Sequence, residues 1–308
     1  MKVRQIYVAA LVMVLAVGSA MAQHSESLYA GDAPSYAIQA DGSDSPSGSG
    51  YLGVDDFFRI REANPNVKSC QWQFELNSAW STFRSGAGRD DDWTVGASLK
   101  YGITDDVFAE FEVLPVNFGD GSDFSARSNR FRFGRRRNVT GDDGNGESNL
   151  KLFWRFLREQ DIMPAMAVWS ELRLPTGEGS SKMDWNIRLN ATKTIWDRFR
   201  AHMAGWLETD NGARGGFDNR FFGDRRNFQW GMGAGVDYSL DEQNVLVLNY
   251  ENRSSEYDGN SNTNSFEAGW VHHLSPSQQL MVGTVYDDTR GFQEGPRWTA
   301  KVQWSVAF

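Results

Sequence analysis

From Gln71 onward the chain alternates apolar and polar residues with a period of two. In the final segment Trp298, Ala300, Val302, Trp304, Val306 and Phe308 share one side, and Arg297, Thr299, Lys301, Gln303 and Ser305 the other. Extended backbone sends successive side chains to opposite faces, so this pattern predicts a strand with one oily and one wet face. It recurs in Trp93, Val95, Ala97, Leu99 and Tyr101, in Leu150, Leu152, Trp154 and Phe156, and in Met183, Trp185, Ile187 and Leu189. Phe228, Trp230, Met232, Ala234, Val236 and Tyr238 repeat it. Candidate strands lie near 71–83, 92–102, 106–116, 148–158, 162–174, 183–194, 198–209, 228–239, 244–253, 264–274, 279–287 and 297–308. Short connections around 103–105, 159–161, 196–197, 240–243 and 275–277 alternate with longer polar stretches around 84–91, 117–147, 175–182, 210–227, 254–263 and 288–296. That alternation predicts an all-β fold, an antiparallel transmembrane β-barrel of outer-membrane type with about twelve strands over residues 70–308. Its short turns and both termini are expected on the periplasmic side, and its long loops outside. Twelve strands about 4.8 Å apart, tilted about 40°, give a backbone radius of roughly 12 Å.

The pattern changes toward the N-terminus. Lys2 and Arg4 precede an apolar stretch from Ile6 to Val17, and Ala20-Met21-Ala22 has the small-x-small form of a cleavage site. Residues 1–22 therefore read as an export signal, and the stretch is too short for a spanning anchor. Residues 23–69 are poor barrel material and are expected to form a flexible periplasmic segment, with a low-complexity linker over 41–50. Val54–Ala63 fits a short helix or loose segment at the periplasmic mouth, with a plug inside the barrel as the alternative. Cys70 is the single cysteine, which excludes an internal disulfide and any multi-cysteine metal site.

Composition fits a membrane protein that is wet inside. Only 40% of residues are hydrophobic, because a barrel gives half its strand positions to a polar interior. The 12 Trp and 20 Phe suit aromatic girdles at the two interfaces. Losing Lys2 and Arg4 with the signal leaves 29 basic against 40 acidic groups, a net of −11, which speaks against nucleic acid as a partner.

With apolar residues toward lipid, the intervening ones face a lumen, and they are charged. Glu110, Glu112, Lys151, Arg155, Glu171, Arg173, Arg188 and Arg200 are the lumen-lining candidates, joined by Asp184, His202, Glu208, Asp237, Glu251, Arg253, Glu267, Arg297 and Lys301. They make either a polar conduit that selects solutes by charge or an interior held together by ion pairs. Glu110 and Glu112 beside Lys151 and Arg155 is the sharpest cross-strand expectation. Gly231, Gly233 and Gly235 alternate inward, which fits curvature relief or a track where a solute or loop nears the backbone. Arg132, Arg135, Arg136, Arg137, Arg225 and Arg226, interleaved with phenylalanines, lie in the two longest loops. They can gather anionic or aromatic solutes, bind lipopolysaccharide phosphates, fold inward, or simply form a solvated face offset by Asp142, Asp143 and Asp224.

No serine stands in a Gly-x-Ser-x-Gly motif, and the four histidines, His24, His202, His272 and His273, are scattered. No enzyme, cofactor or metal is expected. Two stretches carry a family resemblance. Gly144-Asn145-Gly146-Glu147-Ser148-Asn149-Leu150-Lys151-Leu152-Phe153-Trp154-Arg155 resembles a strand entry, and Ser170-Glu171-Leu172-Arg173-Leu174-Pro175-Thr176-Gly177-Glu178 a loop entry, of outer-membrane transporters named for the MetA pathway of phenol degradation. Glu147 and Glu178 stand where that family tends to have Asp. The resemblance implies passage of aromatic compounds. The expected function is a channel or facilitator for small solutes, aromatic or anionic, in the outer membrane of a Gram-negative bacterium. Its expected partners are outer-membrane lipid, lipopolysaccharide and the barrel-assembly machinery, which would read Phe308. The alternatives are a closed structural or partner-binding barrel and a barrel lipid hydrolase.

Overall fold

The computed structural model describes residues 57–85, 88–119, 143–145, 148–176, 183–209, 228–255, 261–288 and 296–308. These contain β1 (Trp72–Ser85), β2 (Gly88–Thr104), β3 (Val107–Gly119), β4 (Asp143–Asn145), β5 (Asn149–Leu157), β6 (Ala165–Arg173) and β7 (Asp184–Trp196). β8 (Phe199–Thr209), β9 (Phe228–Ser239), β10 (Asn244–Arg253), β11 (Thr263–Ser275), β12 (Gln278–Asp288) and β13 (Arg297–Ala307) complete the set. All pair antiparallel in one 13-stranded sheet running β2-β1-β13 round to β5-β3-β4, and an added β2–β3 pairing closes it on itself. Asn145 of β4 faces Val116 and Asn149 of β5 faces Glu112, both on β3, so β4 and β5 are two parts of one interrupted strand. The closed wall is therefore twelve strands around. β1 and β13 form the seam between first and last strands, and Phe308 continues it by exchanging bonds of 2.9 and 3.0 Å with Trp72.

Expected strand positions agree with those found to within a few residues. β2 begins four residues early, at Gly88. β6 begins three residues late, at Ala165, because Gln160 and Met163 first close a local turn on each other. The outward side chains are those of a surface in oil: Trp80, Trp93, Phe111, Leu152, Trp154, Met203, Leu248 and Phe266 are all exposed. The buried side chains are largely polar, with Lys100, Lys151, Gln73, Gln279, Gln303, Glu75 and Glu112 among the most completely enclosed. This inversion is the arrangement required by lipid outside and a polar interior. No helix among the described residues is long and apolar enough to cross a membrane.

The part of residues 23–69 that is described departs from the expected flexible periplasmic segment. Residues 57–67 form no helix and lie inside the barrel, with Phe58 and Ala63 fully buried. At the short-turn end, Lys68 and Ser69 pass against Gly102, where any Cβ would strike the Lys68 carbonyl. Cys70, at a left-handed φ of 61°, turns the chain into β1, its amide donating to the Gly102 carbonyl at 2.8 Å. The segment is held in the lumen because apolar and charged groups of the wall are both matched by its side chains, as set out below. The signal residues 1–22 and the linker over 41–50 lie outside the described residues.

Candidate functional site

The site is the lumen and the segment that fills it. Three consecutive plug side chains enter different surroundings. The Phe58 ring rests on Gly269 of β11, where a side-chain methyl would collide with it, and the Ile60 side chain approaches Gly233 of β9 in the same way. Between them, Arg59 Nη1 meets Glu251 at 3.1 Å and the Ser265 hydroxyl at 2.9 Å, and Nη2 meets Asp287 at 2.9 Å. The Arg59 amide donates to Glu267 at 2.7 Å, and the Arg59 carbonyl accepts from Arg188. Burial works to strip the Arg59 proton, but Asp287, Glu251 and Glu267 outweigh it and hold the guanidinium well above its ordinary value. It stays charged at any working pH.

Further along, Arg61 lies over the Trp169 ring at 4.3 Å, Glu62 pairs with Arg200, and the Ala63 amide donates to Thr192 at 2.8 Å. Asn64 accepts from Arg155 at 3.2 Å. At the other side, Lys301 of β13 donates to the Phe57 carbonyl at 2.5 Å and sits over its ring at 4.3 Å. The segment thus crosses from the β9–β13 wall to the β5–β8 wall. Two apolar clusters receive it: Phe57 and Phe58 with Val245, Val247, Val271 and Met281, and Ala63 and Val67 with Phe108, Phe153, Ala165, Ala167 and Trp169.

All eight lumen candidates turn inward. Glu110, Glu112, Lys151, Arg155, Glu171 and Arg200 are buried, Arg173 and Arg188 half-buried. They do not project as free charges. Lys100 meets Glu75 at 2.6 Å; Lys151 meets Glu110 at 2.7 Å and Glu112 at 3.3 Å; Arg173 meets Glu171 at 3.0 Å and Glu208 at 2.8 Å. The result is a ladder of alternating sign from β1 to β8. The expected pairing across β3 and β5 holds for Lys151, which faces Glu110 in register. Arg155 instead reaches Asp106 in the β2–β3 turn at 2.6 Å, and Arg158 joins there at 2.9 Å. Burial acts to raise the Asp106 carboxyl, but Arg158 and Arg155 hold it below the usual carboxylate range. Arg200 forks onto Asp237 at 3.0 and 2.6 Å.

Of the three inward glycines on β9, Gly231 makes room for the Trp206 indole and Gly235 for the Asn249 side chain, while Gly233 admits the plug. Close approach, rather than curvature alone, explains them. Sequence reading also missed the inward Phe108, Phe153 and Trp169, whose rings lie 4.8 to 5.7 Å apart. A signal existed: Val245-Leu246-Val247-Leu248, Leu280-Met281-Val282 and Phe153-Trp154 are apolar on both faces, so their inner face must also be covered.

His202 has an acid and a hydroxyl beside it, Asp237 at 2.9 Å and Thr192 at 3.0 Å. Both stand in the buried lumen rather than at the lipid face, and the Thr192 oxygen already accepts the Ala63 amide. The trio pins the plug. Arg132, Arg135, Arg136, Arg137, Arg225 and Arg226 lie outside the described residues. The two motifs behind the family resemblance meet in space: the Ser148 amide donates to the Thr176 hydroxyl at 2.8 Å, and the Leu174 amide to the Ser148 carbonyl at 2.9 Å. They make a rim clasp between β5 and β6.

The closed twelve-strand antiparallel barrel is a fold also seen in solved outer-membrane channels. Solved structures that share it include an outer-membrane channel from Pseudomonas putida F1, with a TM-score of 0.58 and 14% identity over 83% of this chain and 100% of that one. The NanC porin follows at 0.52, with 8% identity over 76% of this chain and 98% of that one. At such identities the likeness is one of fold. No family model matches the chain, and no curated protein matches it.

Proposed function

We propose that this protein is an outer-membrane channel for small solutes, held closed by residues 57–67. The observation that carries the reading is how the segment is held. Each bond described between residues 57–67 and the wall uses a side chain on at least one partner, and none extends the sheet. Side-chain contacts to a polar wall can be exchanged for water and solute without breaking the barrel's backbone ladders. The short-turn end would be periplasmic, and the location would be the Gram-negative outer membrane. The resemblance to the phenol-degradation transporters favours aromatic solutes, and the inward Phe108, Phe153 and Trp169 would give such solutes a stacking surface. Capture of anions would rest on the loop arginines alone, since the described lumen pairs its cations with acids.

A closed structural barrel is the second reading, favoured by the buried ion pairs that recur between β1 and β8. Planar-bilayer conductance separates the two. The refolded parent is expected to open rarely, and a variant with residues 57–67 replaced by a Gly-Ser linker to conduct steadily. A linker variant that migrates as a folded, heat-modifiable barrel yet passes no current would sink the channel reading.

A further inference from the structure

We propose that the Arg59 seat is a binding site for organic cations bearing a guanidinium or amidinium group, filled in the closed state by the plug's own side chain. This rests on the channel reading and adds to it a class of cationic solute. The occupant identifies the chemistry. The Arg59 fork is met by acceptors from three strands, Glu251 of β10, Ser265 of β11 and Asp287 of β12. Those acceptors are themselves fixed. Trp206 donates to the second oxygen of Glu251 at 2.7 Å, and the Ser265 hydroxyl donates to the second oxygen of Asp287 at 2.5 Å. Side chains locked in this way keep their spacing when the occupant leaves. A planar fork of donors matches carboxylates set like this; a point-like ammonium matches them less well, and an anion not at all.

A second plug guanidinium supports the same chemistry. Arg61 lies over Trp169, and Glu171 is within its electrostatic reach, so withdrawal of the segment uncovers an aromatic face beside a carboxylate. The wall's own cations stand close. Arg253 lies 3.8 Å from Glu251 and 3.5 Å from Asp287, and Lys301 is bound to Glu267. Arg59 has the shorter approaches to Glu251 and Asp287, 3.1 and 2.9 Å. A diffusing guanidinium would therefore compete with Arg253 for a seat shaped to Arg59, and the outcome of that competition is measurable.

The experiment uses the full mature chain carrying Arg59→Ala, which deletes the fork and keeps the backbone amide that meets Glu267. Guanidinium and methylammonium are titrated by calorimetry into the folded parent and variant, and their effect on current is read in bilayers. The variant is expected to bind guanidinium about tenfold more tightly than methylammonium, the parent to show no such binding, and added guanidinium to suppress current through the variant. Glu251→Gln in the same background should abolish the preference. Equal binding of the two cations, equal binding by the parent, or no binding would each overturn the site, Arg253 having collapsed into it in the last case. Calorimetry decides this even if every variant is electrically silent, an outcome that would count against the channel reading and not against the site.

Discussion

Lys151 stands between two carboxylates, Glu110 and Glu112, where water does not reach. Breaking one member of a buried charge set is costly because it strands the others. Lys151→Met should cost about 3–5 kcal/mol, read from urea unfolding in micelles, and adding Glu112→Gln should recover part of the loss. An unchanged transition would mean that the ladder carries no stability. Lys151 was legible from sequence because its partner lies straight across in register; the destination of Arg155 was not, because Asp106 sits in a turn outside the alternation. Gly269 was equally silent, since nothing in a lone strand glycine names the ring that rests on it. Gly269→Ala should push Phe58 out of its recess, leave barrel folding nearly intact, and raise channel open time in bilayers. Parental open times in a correctly folded variant would refute the seat.

The elements most visible in the sequence were the strands, because lipid on one side and polar matter on the other imposes a period of two over long runs. β13 is the clearest, and it ends where Phe308 pairs with Trp72 at the start of β1. We propose that Phe308 guides barrel assembly in addition to closing the seam through its bonds to Trp72. Deleting Phe308 should lower the amount of heat-modifiable barrel recovered from membranes, and normal recovery would remove that role. The plug was the least visible element. Its residues Phe57-Phe58-Arg59-Ile60-Arg61-Glu62-Ala63 lack a regular period because they are held one by one by different parts of the wall. Their trace lay in the wall instead, in the strands that are apolar on both faces.

On the scale of the whole molecule, the channel proposed above would unite two tasks, a rigid frame in the closed sheet and a removable stopper in its bore. The frame is fastened by backbone ladders and the stopper by side chains, so the second can yield before the first. The stopper's partners are also far away along the chain. Phe57 and Lys301 are 244 residues apart, and Arg59 and Asp287 are 228 apart. Residues 57–67 precede every described strand, yet their full set of partners exists only once β13 has been made and placed. Contacts of such long sequence separation form late in folding. The stopper can therefore seat fully only once β13 is in place, and a wall that closed ahead of it would have a vacant bore. A cell that makes this protein would leak through such a bore, and its tolerance of toxic hydrophilic compounds would depend on how quickly the N-terminal residues settle.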